Sequence, residues 1–250
     1  MSQVPAATRA LRVLRFLSSQ ADPVPVEAIM RACELPRSTT YHLVNAMIEE
    51  GFVVHLVDER RYGLGVSAFE VGSGYSRQAP LQRIARRPLA QLVDRLGQSA
   101  HLAVLHGRDV LYIVEERAPG RPPLVTDVGV RLPAHLTASG RAIMASLPNG
   151  QVRALYPDRA AFTDRTGIGP QSPTALKATL AEARRLGYAT EAGEVTLGLS
   201  SVAVPVLDHN GHPVAAIAVT YAAEDPVPPA AALRHCADLL SQRLGARRVG

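Results

Sequence analysis

The chain has 250 residues, and its 47% hydrophobic and 20% charged content is that of a globular protein with room for two cores, not of a disordered or fibrous one. A net charge of +5 suits an anionic partner, yet residues 1–80 hold eight Arg and eight acidic residues, so any contact with a polyanion there must come from local arrangement. No apolar run reaches the ~18 residues of a membrane span, no signal peptide opens the chain, and Cys33 and Cys236 lack metal-ligand or redox spacing, so a cytoplasmic setting with no membrane, metal or cofactor is expected.

Residues 6–19 read as an amphipathic helix with Ala10, Leu11, Leu14 and Leu17 inward and Arg9, Arg12 and Arg15 outward. Asp22-Pro23 breaks it. Val26, Ile29 and Met30 then keep helical spacing as far as Cys33-Glu34-Leu35, and Pro36 suits the first turn of a new helix. That helix, about Pro36 to Glu50, places Thr40, Leu43, Val44, Met47 and Ile48 on one face and Arg37, Ser38, Thr39, Tyr41, His42 and Asn45 on the other. Gly51 supplies a left-handed stop. Phe52–His55 and Arg61–Leu64 follow as paired strands with Asp58-Glu59-Arg60 at the tip.

Two helices, a tight turn and a hairpin make a winged helix-turn-helix over residues 1–65, which implies double-stranded DNA as partner. At the start of its second helix Arg37 can fork to guanine or phosphate, Ser38 and Thr39 can donate to phosphate, and Tyr41 and Asn45 face base edges. Arg60 and Arg61 would reach backbone or minor groove from the wing. The competing readings are that Ser38 or Thr39 only caps the helix and that the wing arginines form a solvated hairpin tip. Lys177 is the only lysine, and a GC-rich genome explains the arginine excess as well as nucleic-acid contact does.

Residues 66–79 read as a linking helix loosened by Gly72 and Gly74, and Pro80 separates the halves, giving a linker over 66–80 and a second domain over 81–250. The second half alternates: a helix at 81–97, a hairpin 101–106/110–115, a loop Pro119–Pro123, a strand Leu124–Val128, and a helix Ala138–Leu147. Helices near 150–156 and 174–186, a hairpin Ser201–Leu207/Val214–Tyr221 and a last helix to about Gly245 complete it. Sheet with flanking helices is the pattern of an α/β small-molecule domain in an α+β chain. Ala218 and Thr220 share one strand face by period two.

The motifs, in order, are Leu35-Pro36-Arg37-Ser38-Thr39-Thr40-Tyr41-His42-Leu43-Val44, then Arg131-Leu132-Pro133-Ala134-His135 leading into Ala138-Ser139-Gly140-Arg141-Ala142, then Gly187-Tyr188 through Glu191 to Glu194, and Gly198 through Val204-Pro205-Val206 to Gly211. Together they resemble the IclR family of bacterial transcriptional regulators, over almost the whole chain. The resemblance implies a dimerising N-terminal winged helix, a C-terminal domain similar to the GAF fold that binds a small effector, and a homodimer or homotetramer. It also implies effector contacts from Ala138, Ser139, Gly140, Glu191, Ser201, Ala218 and Thr220, with Val128 and Leu132 as walls. The chain departs from the family at His42, where Arg is usual, so that operator affinity is expected to respond more to mild acid. Ala218 stands where binders of small acids tend to carry a hydroxyl, which points to a larger or less polar effector such as an aromatic acid.

Glu191 and Glu194 read as a surface loop or as a hydrogen bond to effector, not as an acid–base pair. His101, His106 and His135 are scattered and read as structural, not as zinc ligands. An enzyme using Ser139 as nucleophile is the alternative from another class, although no Gly-x-Ser-x-Gly elbow surrounds it. A purely structural interaction module is the third.

Overall fold

The apolar periodicity at the start of the chain becomes three helices and a small sheet: α1 (Pro5–Ser18), β1 (Val24–Pro25), α2 (Val26–Cys33), α3 (Arg37–Glu49), β2 (Val53–Leu56) and β3 (Arg61–Leu64). The structure, a computed structural model, describes residues 4–78, 80–121 and 124–246, and the chain divides into two units with the boundary before Pro80. Val13, Leu17, Val26, Ile29, Cys33, Leu35, Val44 and Met47 form the first core, closed by Val53 and Tyr62 from the sheet. In α1 the inward stripe is Ala10, Val13, Leu14 and Leu17, at i, i+3, i+4 and i+7. Leu11, expected inside, falls off that stripe and is 62% exposed.

The turn between α2 and α3 is made without glycine. Glu34 adopts φ +55°, and Leu35 N–H donates to Met30 O at 3.0 Å, which carries Leu35 into the core. Pro36 sits one place earlier than expected, as the residue before α3, because the helix begins at Arg37. The wing sheet has the order β1-β3-β2, so a short strand before α2 adds an edge that the sequence does not announce. Behind the wing, Gly65 N–H donates to Phe52 O and Ser67 N–H to Gly51 O, where α4 (Val66–Gln78) begins. A Cβ at Gly65 would lie 2.2 Å from Gly51 O, so this crossing admits no side chain.

The second unit contains α5 (Pro80–Leu96), β4 (Ser99–His106), β5 (Asp109–Glu116), β6 (Arg131–Pro133), α6 (Ala138–Ser146) and α7 (Asn149–Leu155). It continues with α8 (Pro173–Leu186), β7 (Ala189–Ala192), β8 (Leu199–Leu207), β9 (Pro213–Ala222) and α9 (Ala230–Arg243). The strands form one antiparallel sheet in the order β6-β5-β4-β9-β8-β7. Period two sorts its residues. Val202, Val204, Val206, Ile217 and Val219 pack with α5 and α9, whereas Ala103, Ala203, Ala216 and Ala218 pack with α6 and α8. At the start of α6 the helix is folded tightly on the turn before it: a Cβ at Gly140 would lie 2.2 Å from Ala134 O.

Leu124–Val128 is not a strand. The free edge of β5 is taken by the residues just after it, through Gly129 N–H to Tyr112 O and Tyr112 N–H to Val130 O, which leaves no ladder for 124–128. β6 and β7 are strands that the sequence reading lacks. Ala79, the last residue of the expected linking helix, and Pro122 and Pro123 of the expected loop lie outside the described residues. Among the described residues no helix is long and apolar enough to cross a membrane.

Gly65→Ala is expected to destabilise the N-terminal unit by ~1–3 kcal/mol, because backbone and not a movable side chain blocks the added methyl. Urea denaturation of the variant against wild type measures it.

Candidate functional site

On the first unit the site is the outer face of α3. Ser38, His42 and Asn45 are exposed and lie at i, i+4 and i+7, which makes one polar stripe along the helix. Arg37 flanks it, with its guanidinium carbon 5.7 Å from the centre of the Tyr41 ring. Tyr41 itself is half-buried and packs on the core, so it borders the stripe and does not project as expected; Thr39 is half-buried too. Neither Ser38 nor Thr39 caps the helix: the residue before it is Pro36, with no side-chain cap. The first-turn N–H groups therefore remain available, and helix N-termini favour anions. At the wing, Arg60 is exposed at the tip with φ +53°. Arg61 is partly committed, since its Nη1 donates to Pro23 O at 2.7 Å and so ties the wing to the segment before α2. His55 stacks on Tyr62 at 4.4 Å behind it.

In the second unit a polar cluster is buried in the alanine-lined side of the sheet. Ser201 on β8 donates to Glu191 Oε1 on β7 at 2.8 Å, and its oxygen lies 3.0 Å from Thr220 Oγ1 on β9. Tyr112 on β5 borders Ser139 and Glu191, and its burial drives its hydroxyl pKa upward. Ser139 Oγ and Glu191 Oε2 are buried with no hydrogen-bond partner. Burial is the main force on Glu191, and the neighbouring Glu194 adds to it, so its carboxyl is pushed up to about 7 although Ser201 and Arg141 pull the other way.

The cleft above this cluster is lined by Tyr112, Leu124, Val125, Thr126, Glu191, Val195, Thr196, Leu199, Ser201 and Thr220, and its volume is about 20 Å³. That is room for roughly one water. Ser139, Glu191, Ser201, Ala218 and Thr220 are thus on the same side of the sheet, with Ala218 buried in the adjoining apolar core. Ala138 and Gly140 are buried in the first turn of α6, where Thr137 Oγ1 accepts from Gly140 N–H at 3.0 Å. Leu132 is a core residue on β6. Val128 is not brought in: it sits in a turn, 54% exposed. The surface-loop reading of Glu191 and Glu194 is also overturned, because both are buried.

Sequence reasoning missed Tyr112 and the 124–126 and 195–199 segments. Only one signal was available, the apolar run Leu124-Val125, and it reads equally well as a strand. The 124–128 segment is held by polar contacts. Thr126 Oγ1 lies 2.7 Å from His101 Nε2, and Arg117 bonds both Glu115 at 3.0 Å and Asp127 at 3.2 Å. Underneath, Arg141 is buried with each of its three nitrogens engaged. Its Nε donates to His135 O at 2.8 Å, Nη1 to Thr190 O at 2.7 Å, and Nη2 to Glu194 Oε1 at 3.0 Å. Glu194 Oε2 in turn accepts from Ala192 N–H. His135 is held by Thr163 O and by the rings of Tyr156 and Phe162, and burial lowers its pKa. No base contacts Ser139 among the described residues, so it has no activated nucleophile's environment.

The model described as IclR helix-turn-helix domain matches residues 6–56, and that described as bacterial transcriptional regulator IclR C-terminal matches residues 73–241. The chain is 32% identical to the glycerol operon regulatory protein of Streptomyces coelicolor over 96% of both proteins. It is 30% identical to the transcriptional repressor IclR of Escherichia coli, over 87% of this chain and 80% of that protein. Among solved structures, an IclR homologue from Microbacterium hydrocarbonoxydans complexed with 4-hydroxybenzoate superposes with a TM-score of 0.78 at 25% identity, covering 97% of this chain and 100% of that one.

Arg141→Met is expected to cost ~3–5 kcal/mol, because it strands Glu194 as a buried unpaired carboxylate. Adding Glu194→Met should recover much of the loss, and a double-mutant cycle by chemical denaturation measures both. Glu191 generates a pH dependence of opposite kind to the usual acid. Its folded pKa is raised, so its contribution is most favourable below about pH 4.5 and is lost as pH rises through about 7. Glu191→Gln should therefore remove up to about 3 kcal/mol of destabilisation at pH 8 and almost none at pH 4.5. Equal effects at the two pH values in denaturation curves would contradict the assignment.

Proposed function

The chain belongs to the IclR family of bacterial transcriptional regulators, and from that premise we propose that it is a ligand-responsive regulator acting on cytoplasmic DNA. Its operator is an inverted repeat, and a small carboxylic or aromatic acid bound in the second unit modulates its DNA affinity. The observation that carries this reading is the buried Ser139–Glu191–Ser201–Thr220 cluster, in which Ser139 Oγ and Glu191 Oε2 lack a partner and Glu191, Ser201 and Thr220 line the cleft. The aromatic preference draws on Ala218 and on the 4-hydroxybenzoate bound by the Microbacterium homologue.

In this reading residues 1–65 are the DNA-binding domain, 66–80 the linker, and 81–250 the effector domain. Arg37, Ser38, His42 and Asn45 enter the major groove, with Thr39 and Tyr41 along the margin and Arg60 and Arg61 following the backbone. Ala138, Ser139 and Gly140 meet the effector at the start of α6, and Glu191, Ser201, Ala218 and Thr220 meet it from the sheet. The protein works as a homodimer or homotetramer, since two equivalent helices are what an inverted repeat requires. Val66, Phe69 and Val71, exposed on the linking helix, are apolar surface of the kind that self-association covers. Ligand and DNA affinities are then linked reciprocally through residues 66–80.

Arg37→Ala should weaken specific operator binding by ~1–3 kcal/mol while leaving non-specific binding nearly unchanged, as read by salt-controlled gel shift or fluorescence anisotropy. His42→Arg should flatten the pH profile of operator affinity between pH 6 and 8; superimposable profiles would show that His42 carries no pH response.

A further inference from the structure

Donor accounting at the cleft identifies the chemistry of its occupant, given the reading of this cleft as the effector site. Ser201 has one hydroxyl proton and commits it to Glu191 Oε1. The Ser201–Thr220 contact must then run with Thr220 as donor. Both hydroxyl protons point along one chain toward the carboxylate, whose second oxygen, Oε2, is buried and unpartnered and lines the cleft. Among the described residues no Lys, Arg or His lines the cleft, and the titratable side chains that interact with Glu191 are Glu194, Tyr112, Tyr221 and Arg141. All three nitrogens of Arg141 already donate, to His135 O, Thr190 O and Glu194.

With Glu191 ionised, as it is at pH 8, the cleft is short of a donor there. A ligand carboxylate placed there would set acceptor against acceptor. An ammonium would satisfy Glu191 but could accept nothing from Ser139, whose hydroxyl is also unpartnered and lies beside Tyr112. A hydroxyl does both, because it is one donor and two acceptor sites. We propose that the effector is a hydroxylated compound whose hydroxyl donates to Glu191 Oε2 and accepts from the Tyr112–Ser139 pair. The rest of the ligand lies against Leu124, Val125, Val195 and Leu199, so Glu191 and Tyr112 set specificity for the hydroxyl and not for a carboxylate.

The test is isothermal titration of the full chain at pH 8 with matched probes: 4-hydroxybenzoate against benzoate and 4-methoxybenzoate, and lactate against propionate. A hydrogen bond to an ionised group implies that a hydroxylated member binds at least ~10-fold tighter than its deoxy or O-methyl partner. That preference should collapse in Glu191→Leu and weaken in Tyr112→Phe. The isosteric Glu191→Gln, checked for folding by denaturation, gives a second reading of the same loss if Glu191→Leu does not fold. Equal affinity across a matched pair, a preference that survives both Glu191 variants, or failure of every hydroxylated probe overturns the proposal. If benzoate or propionate binds and alters DNA affinity, the effector reading stands without the hydroxyl requirement. If probes bind but ignore Glu191→Gln and Ser201→Ala alike, the effector site lies elsewhere and both readings fall.

Discussion

The second unit depends on one guanidinium. Arg141 leaves solvent entirely, and a buried charge is tolerated only when it is paired and its protons are used. Its partners come from two segments: His135 O just before α6, and, about fifty residues on, Thr190 O on β7 with Glu194 just after it. Those are the segments that carry Ser139 and Glu191. β7 is four residues long and sits at the sheet edge, so its ladder with β8 alone fixes it weakly. The arginine supplies what the short strand lacks.

Within this frame the unit holds two buried titratable groups whose effects oppose one another. Burial lowers the pKa of His135, so the folded state prefers it neutral and loses stability as pH falls below the ordinary histidine range. Burial raises Glu191, so the folded state prefers it protonated and loses stability as pH rises toward about 7. The two differ in compensation. His135 keeps Thr163 O on one nitrogen and two aromatic edges around its ring. Glu191 keeps one hydroxyl and leaves an oxygen empty. Each leaves one buried polar atom without a partner, Nδ1 of His135 and Oε2 of Glu191, but only Glu191 lines the cleft.

How much of this was legible in the sequence follows from which signals are periodic. α2, α3 and the wing carry apolar residues at helical or alternating spacing between Pro and Gly stops, and they fold near the expected bounds. α8 could be read from its apolar spacing and from Gly187, which is its left-handed cap at φ +72°. β7 could not be read, because Ala189-Thr190-Glu191-Ala192 puts a carboxylate on the inward side, and an alternation rule takes that for surface. Leu124–Val128 failed in the opposite sense: it has a strand's composition, but the β5 edge it would need is occupied. Leu11 shows a third limit, since two overlapping helical stripes were possible in α1 and only packing selects Val13. In the site, residue types were legible and geometry was not. Nothing in the sequence places Tyr112 beside Ser139, or turns Val128 outward.

The size of the cleft adds a constraint that residue identities alone do not. At about 20 Å³ it is smaller than any organic ligand, while small-molecule sites hold ~300–1,000 Å³. The sheet cannot give way, because Ser201 and Thr220 lie on the paired strands β8 and β9. The wall opposite the sheet is made by Leu124–Thr126 and Val195–Leu199, which are outside regular structure apart from Leu199. Opening the first of these means parting Thr126 from His101 and straining the bridge from Asp127 to Arg117. Arg117 and Asp127 are half-exposed or more, so their pair is weak in water. The Thr126–His101 contact is buried and is the stronger of the two. In the proposed effector reading, ligand affinity is set against that contact as well as by the polar cluster below it. A substitution at His101 would act on binding without touching the ligand.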